Sequence, residues 1–328
     1  MEPLFRDGSR AAAFDVVGLG QCSIDHVAVV AGFPPFAGKI PMRGYQRLPG
    51  GQIATALLAC ARLGLRTAFV SSVGDDGVAE VVLAPLRAAG VDVSRVLEIP
   101  GATSQLALIV VDEGSGERTV LWYRDPRLAI PRERLAPADV ERGRALHLDA
   151  GDPDVAIWAA RISRAAGLPV FADLDTVAPG VDDELRHVDF PIVSTQFAEM
   201  RFGGAEEALR GLAGLGARYP VVTLGERGAV GGSGAERCAS PAFDIDARDT
   251  TGAGDVFHGA FVVAVLEGAG PERALRVANA AAAMNCRALG AQGGLPTRAE
   301  LDVFLASARP RAAGSTAARS LPTGGAEV

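Results

Sequence analysis

The chain has 328 residues, a formal net charge of −7 and 48% hydrophobic residues, which is enough for one large domain or two smaller ones. Glycine is frequent, at 40 residues, but the lack of a three-residue period excludes collagen, and a mean hydropathy of +0.21 argues against general disorder. The acidic net charge argues against nucleic-acid binding, and the lack of a long apolar stretch argues against a membrane span. Four widely spaced cysteines argue against a disulfide scaffold. Together with the lack of an evident signal peptide, these features predict a cytoplasmic protein.

Strand and helix patterns alternate through most of the chain. The predicted elements in order are a strand at 14–20, a helix at 50–64, a strand at 67–73, a helix at 78–89, strands at 104–112, 118–123 and 145–149, a helix at 155–166, strands at 169–173 and 190–194, a helix at 206–215, a strand at 221–224, and helices at 255–266 and 271–287. The flanking segments 1–13 and 309–328 are predicted to be flexible termini around a single domain, 14–308.

The alternation predicts an α/β fold with a doubly wound, mostly parallel sheet flanked by helices. Two hairpin-like regions, about 24–48 and 102–124, do not fit that alternation. They predict a small β-sheet lid beside the main sheet. Because short hairpins are poorly stable alone and their edges invite pairing, we expect a homodimer joined through the lid strands.

The strongest motif is Asp-Thr-Thr-Gly-Ala-Gly-Asp at 249–255, directly before an apolar helix. The backbone N–H groups of Gly252, Ala253 and Gly254 would converge on an anion, and the helix dipole would add positive potential. Asp255 in the first turn would then accept a proton from a hydroxyl that attacks a phosphoryl group. An ordinary helix cap after a flexible loop is the alternative interpretation.

This motif resembles the C-terminal signature of the ribokinase-like (PfkB-type) sugar kinases. Three further segments resemble that family in the same order along the chain: Gly18 to Gly20 with Asp25, the glycine pair and small-residue helix at 50–64, and the strand and turn at 221–228. Within the family, the Gly-Glu-Arg-Thr-Val run at 116–120 and Thr at 55 resemble the ketohexokinase and sulfofructose-kinase subgroup. The matches span about residues 14–306.

The resemblance implies a kinase fold, ATP and Mg²⁺ as cofactors, and a role for each matching residue. It implies that Asp255 is the catalytic base and that Gly252, Ala253 and Gly254 form the anion hole. It implies a sugar site at Asp25, Gly50, Gly51 and Thr55. It implies ATP contacts at Thr223, Gly225, Gly228, Asn279 and Gln196. It makes Glu199 an indirect Mg²⁺ organiser, and Asp249 and Thr251 candidates for holding a monovalent cation such as K⁺.

Two departures from the family pattern concern the substrate and the metal. The family usually has Asn where Thr55 and Gln196 stand, and Thr offers a hydroxyl in place of an amide. Lys39 and Arg124, in and beside the predicted lid, are candidates for contacting an anionic group on the sugar, although solvated surface is the commoner role.

The sequence therefore predicts an ATP-dependent kinase of a sugar or sugar derivative, with a ketose-like substrate favoured. A nucleoside kinase of the same family remains an alternative. A non-catalytic sugar or nucleotide sensor on the same fold is a second alternative, which the intact Gly-Ala-Gly and Asp255 disfavour.

Overall fold

A computed structural model describes residues 2–5, 11–177, 180–232 and 234–311. Its strands are β1 (Val16–Leu19), β2 (Ser23–Val30), β3 (Gly44–Gly50), β4 (Thr67–Gly74), β5 (Asp92–Ile99), β6 (Leu106–Asp112), β7 (Arg118–Tyr123), β8 (Ala145–Asp149), β9 (Val170–Leu174), β10 (Phe190–Ser194), β11 (Val221–Thr223), β12 (Ala229–Gly231) and β13 (Cys238–Ser240). Its α-helices are α1 (Gln52–Arg62), α2 (Ala79–Ala88), α3 (Pro137–Glu141), α4 (Pro153–Ala165), α5 (Val181–Leu185), α6 (Thr195–Phe202), α7 (Ala205–Gly214), α8 (Ala253–Leu266), α9 (Pro271–Asn285) and α10 (Arg298–Ser307).

The main sheet has nine strands in the order β13-β12-β11-β10-β9-β8-β1-β4-β5. The seven strands from β11 to β5 run parallel, with β1 between β4 and β8, whereas β12 and β13 form an antiparallel edge. This order confirms the predicted doubly wound, mostly parallel sheet. Parallel strands end at one edge of the sheet, and such edges carry the ligand sites of open α/β folds.

Apolar side chains cover both faces of this sheet, so the protein has three layers. Because successive strand residues point to opposite faces, Val16 and Val17 enter different cores. One core packs the sheet against α1, α8 and α9, and the other packs it against α4 and α7. Continuous burial on both faces explains why the central strands read as uninterrupted apolar runs.

Helix α8 is buried for most of its length, from Val256 to Leu266. A Cβ on Gly259 would lie 2.4 Å from the carbonyl oxygen of Ala56, so glycine allows α8 to cross α1 closely. The small side chains of the alanine-rich helices α1, α8 and α9 thus let their backbones pack closely without large aromatic residues. This rigid support fixes the position of the first turn of α8.

The predicted lid is a separate four-stranded sheet in the order β3-β2-β6-β7. Strands β2 and β3, and β6 and β7, pair antiparallel, and a parallel β2–β6 ladder joins the two hairpins. Val27, Ile109 and Val111 on one face pack with Leu289 of the main domain. The edge strand β7 is exposed along its whole length.

Several elements were not predicted: β5, β12, β13 and the helices α3, α5, α6 and α10. Part of the predicted flexible N-terminus is packed, because Leu4 and Phe5 contact the main core. At the other end, Pro310 forms a β-bridge with Phe243. Residues 1, 6–10 and 312–328 of the predicted termini lie outside the described residues. No helix within the described ranges is long and apolar enough to cross a membrane.

Candidate active site

The turn before α8 opens the helix with unused backbone donors. Gly252 adopts a left-handed conformation (φ +74°), and its Cβ would lie 2.4 Å from the carbonyl oxygen of Ala291. The N–H of Ala253 donates to the carbonyl of Thr250 at 3.2 Å, and that of Val256 donates to the carbonyl of Gly252 at 2.9 Å. The N–H groups of Gly252, Gly254 and Asp255 meet no acceptor among the described residues, as is usual in the first turn of a helix. Gly254 faces open space, because an added Cβ would meet no atom within 4 Å. The start of α8 thus leaves backbone donors available to an anion, and the anion hole at Gly252, Ala253 and Gly254 stays a prediction.

Asp255 lies half-buried in this first turn of α8. Burial and then the charge of Asp175 raise the pKa of Asp255 to about 7. A carboxyl group with this pKa can exchange a proton near neutral pH, which suits a general base.

Asp25 of β2 is buried at the base of the lid sheet. Its carboxylate accepts a hydrogen bond of 2.7 Å from the Ser23 hydroxyl, and burial raises its pKa to about 6. A Cβ on Gly50 would lie 2.1 Å from the Asp25 carboxylate, so the structure brings these two predicted sugar-site residues into contact. Gly51 follows at the start of α1 with φ +95° and backs onto Cys22.

Thr55 has a neighbour that sequence reasoning missed. The Gln292 side-chain amide donates a 3.3 Å hydrogen bond to the Thr55 hydroxyl. The amide oxygen of Gln292 is buried and has no hydrogen-bond partner among the described residues. Gln292 thus supplies an amide group beside the position where the family usually has Asn.

Asp149, at the end of β8, is a further acidic residue near the site. Its carboxylate accepts hydrogen bonds from the backbone N–H groups of Gln21, at 2.8 Å, and Gly151, at 2.9 Å. Burial raises its pKa to about 6, and its charge in turn raises the pKa of Asp255. Its place at a parallel strand end is the signal that identifies it.

Arg118 brings a positive charge from the lid to this centre. Its guanidinium donates a 2.7 Å hydrogen bond to the Thr250 hydroxyl, just before the Gly-Ala-Gly turn. Its charge lowers the pKa of Asp255, opposing the effect of Asp175. Arg118 therefore faces the anion-binding turn.

A buried pair supports the site from behind. The His258 ring nitrogen Nε2 lies 3.3 Å from the carboxylate of Asp173, and the ring of His258 stacks on His147 at 5.6 Å. Burial lowers the pKa of both histidines and, together with the charge of Asp255, raises that of Asp173. His258 and Asp173 are thus both buried beside the first turns of α8.

The predicted nucleotide-side residues surround the strand β11 and the start of α6. The Thr223 carbonyl accepts a 2.8 Å hydrogen bond from the Thr195 hydroxyl. Gly225 and Gly228 follow with positive φ, at +58° and +93°. Gln196 and Glu199 are both exposed on α6.

Asn279 and Asp249 are both occupied by hydrogen bonds within the protein. The amide nitrogen of Asn279 donates to the carbonyls of Ser240 and Pro241, at 3.0 and 3.3 Å. The Asp249 carboxylate accepts the N–H and hydroxyl of Thr251, at 2.8 and 2.6 Å, and the N–H of Gly290 at 2.7 Å. These contacts fix the loops that frame α8, and the predicted contacts with adenine and K⁺ stay predictions.

The two candidate receptors for an anionic sugar group have different surroundings. Lys39 is exposed in the loop between β2 and β3. Arg124 is largely buried, and its guanidinium pairs with Asp152 at 2.7 Å and donates to the Leu128 carbonyl at 3.0 Å. The charge of Arg124 is therefore compensated by the protein, and its predicted substrate contact stays a prediction.

The site suits Mg²⁺ that is bound mainly through phosphate. No group of three or more His, Cys, Asp or Glu side chains in the described ranges forms a ready metal cage. Three carboxylates nevertheless lie near one another: after the larger effect of burial, the charges of Asp255 and Asp175 raise the pKa of Asp173, and the charge of Asp175 raises that of Asp255. Oxygen donors of this kind fit Mg²⁺, which keeps several waters and binds substrate phosphates.

The start of α8, Asp255 and the lid residue Arg118 thus come together at one edge of the fold. Residues 13–298 match the family model described as pfkB family carbohydrate kinase. The chain belongs to this family, and it is a carbohydrate kinase, a transferase. The match confirms the predicted family, whereas the ketohexokinase subgroup stays a prediction.

Known proteins resemble the chain over nearly its whole length. A ribokinase from Bacillus subtilis is 30% identical over 294 residues, covering 88% of this chain and 98% of that protein. Fructokinase-1 from rice, Oryza sativa, is 28% identical over 321 residues, covering 89% and 98%. The structure of Arabidopsis thaliana ribokinase complexed with ribose and ATP superposes with a TM-score of 0.76 at 23% identity, covering 89% and 99%.

Proposed function

We propose that this chain transfers the terminal phosphoryl group of ATP to a hydroxyl of a sugar or sugar derivative, with a ketose-like acceptor favoured. The observation that carries the proposal is the first turn of α8. There, Asp255 with a pKa of about 7 lies beside Gly254 and the open N–H groups. The ribokinase and fructokinase names of the relatives support a small sugar as the acceptor.

Each part of the site has a defined task in this reaction. The Asp255 carboxylate takes the proton of the acceptor hydroxyl as its oxygen bonds to the terminal phosphorus and the bond to ADP breaks. The N–H groups at Gly252–Gly254 and the guanidinium of Arg118 stabilise the negative charge on the transferring group. Asp25 orients the sugar through its other hydroxyls. When bound, Mg²⁺ neutralises phosphate charge, with Glu199 as an indirect organiser.

The nucleotide would lie along the edge formed by Thr223, Gly225 and Gly228, next to α6. This placement is supported by the parallel pairing of β11 with β10, β9 and β8, which puts the end of β11 at the same sheet edge as Asp149 and Asp173, and by the ATP-bound relative of the same fold. Asn279 would act near the adenine by holding the loop at 240–241. K⁺ would act at the loop that Asp249 and Thr251 form.

The proposal is tested by ADP release with a panel of ketoses, aldoses and nucleosides. We expect Asp255→Asn to abolish turnover while nucleotide binding, followed by calorimetry, is retained. Asp302→Asn, an exposed carboxylate on α10, is the matched control and should keep wild-type turnover. Equal turnover in Asp255→Asn would refute the base assignment. Tight sugar binding without turnover of any panel member would instead indicate the sensor.

We also propose that two copies associate through the outer face of the lid. Four large apolar or aromatic side chains are exposed on that face: Tyr45, Leu108, Leu121 and Tyr123. Such a contiguous patch is typical of a protein interface. Light scattering at micromolar concentration should show a dimer, and Leu121→Arg should produce monomers. A monomeric wild-type protein would refute this association.

A further inference from the structure

The lid carries an exposed tryptophan on the same row as the proposed sugar-binding aspartate. In the β2–β6 ladder Asp25 is opposite Ala107, and in the β6–β7 ladder Ala107 is opposite Trp122. Residues directly opposite each other in neighbouring strands point to the same face of a sheet. Asp25, Ala107 and Trp122 therefore form one row on one face of the lid.

This face is turned toward the main domain. Val27, Ile109 and Val111 on it pack with Leu289, and Arg118, also on it, reaches Thr250 beside the anion-binding turn. Along the row, exposure rises from 3% at Asp25 to 66% at Trp122. The row thus begins inside the proposed sugar site and ends at its open side.

The distance between Asp25 and Trp122 indicates how long a ligand that contacts both residues would be. Neighbouring strands are about 4.8 Å apart, so the backbones of Asp25 and Trp122 are separated by roughly 10 Å. The side chain between them is the methyl group of Ala107, which leaves room along the lid. A single sugar ring covers roughly one strand spacing, so a sugar held at Asp25 leaves the region below Trp122 unfilled.

We propose that Trp122 is a stacking platform for a planar or apolar group attached to the sugar that Asp25 holds, so that an acceptor sugar carrying such a group is preferred over the same sugar without it. This inference rests on the proposed kinase function and names its substrate class. An exposed tryptophan on an edge strand is otherwise unfavourable, since edge strands are usually polar. Stacking a planar ring on the indole removes apolar surface of both from water.

A second copy of the chain is the competing occupant for the exposed indole. The apolar residues proposed for association, Leu108, Leu121 and Tyr123, lie on the opposite face because they alternate with Ala107 and Trp122 along β6 and β7. Association through that outer face leaves Trp122 uncovered on the face that is turned toward the main domain. The face assignment therefore favours the substrate over the second copy.

The chain has two tryptophans, so Trp158→Phe leaves Trp122 as a single fluorescent reporter. Trp158 lies under the Arg132 guanidinium on another part of the surface. The variant is titrated, with a saturating non-hydrolysable ATP analogue present, against two matched pairs of ligands. These are uridine with ribose, and phenyl with methyl β-D-fructofuranoside. We expect saturable quenching by the ring-bearing member, which should bind about ten- to a hundredfold tighter than its partner.

Variants of Trp122 complete the test, with binding followed by calorimetry. Trp122→Ala should remove the preference for the ring-bearing ligand, Trp122→Phe should restore most of it, and Tyr123→Ala, on the opposite face, should keep it. Equal affinity within each pair, or an unchanged preference in Trp122→Ala, would overturn the inference. Emission that shifts with protein concentration before ligand is added would place Trp122 between two copies and overturn it too. If free sugars are still phosphorylated in an Asp255-dependent manner, the proposed function stands even though this inference fails.

Discussion

Replacing Gly254 with alanine should raise the stability of the protein and lower its activity. Gly254 has no left-handed φ to preserve, and an added Cβ would meet no protein atom within 4 Å. Gly→Ala at a helical position lowers the entropy of the unfolded chain and stabilises the helix by about 0.5–1 kcal/mol. For a domain of this size, that gain corresponds to a rise in Tm of about 1 °C.

The same methyl group would occupy the open space beside Gly254 at the start of α8. If the transferring phosphoryl group lies there, the methyl group moves it by roughly 1 Å, and a displacement of that size costs on the order of 100-fold in rate. We therefore expect Gly254→Ala to unfold slightly later than the wild type and to lose about two orders of magnitude in kcat/KM.

The assay pairs thermal unfolding with ADP release, and Gly252→Ala is the contrasting variant. Its Cβ would lie 2.4 Å from the carbonyl oxygen of Ala291, against 3.4 Å or more for ordinary contact, and its φ is +74°. Gly252→Ala should therefore lose both stability and activity. Wild-type turnover in Gly254→Ala would show that the phosphoryl group does not pass over Gly254, and the anion-hole assignment would be wrong.

Three further predictions concern charged groups. Burial and the charge of Asp175 raise the pKa of Asp255 to about 7, so activity should fall as the pH falls through about 7. Asp175→Asn should move this acidic limb of the kcat profile to lower pH. An unmoved limb would contradict the assignment of Asp255 as the base. Arg118→Met should lower kcat/KM by roughly tenfold to a hundredfold, the worth of a charge-assisted hydrogen bond, and unchanged kinetics would exclude a role for Arg118 at the phosphoryl group. Burial raises the pKa of Glu184 to about 8, so ionisation of this carboxyl group destabilises the folded protein. The Tm of Glu184→Gln should therefore exceed that of the wild type by more at pH 8 than at pH 5. An equal difference at both pH values would refute this.

The main sheet, the lid and the start of α8 were predictable because their signals are local. Glycine turns, apolar strand runs and small-residue helices are visible within windows of a few residues. Helix α10 was missed although its signal is also local. Thr297 and Glu300 form a capping box, with the Thr297 hydroxyl accepting from the Glu300 N–H at 3.4 Å.

Other parts of the site depend on contacts between distant segments. Gln292 reaches Thr55 across 237 residues of chain, and the pairing of His258 with Asp173 joins a helix to a strand end. Nothing in the neighbouring sequence of Gln292 specifies that its amide replaces that of a missing Asn. Such contacts follow only from the packed arrangement of the layers.

Two glycines beside the cleft let the backbone close on buried carboxylates. A Cβ on Gly20 would lie 2.4 Å from the carboxylate of Asp149, and one on Gly50 would lie 2.1 Å from that of Asp25. Gly254 and Gly225, by contrast, border open space in the way expected of a backbone that meets ligand. Since burial raises the pKa of both carboxylates to about 6, glycine lets the backbone enclose acidic groups that the substrate, rather than water, must then satisfy.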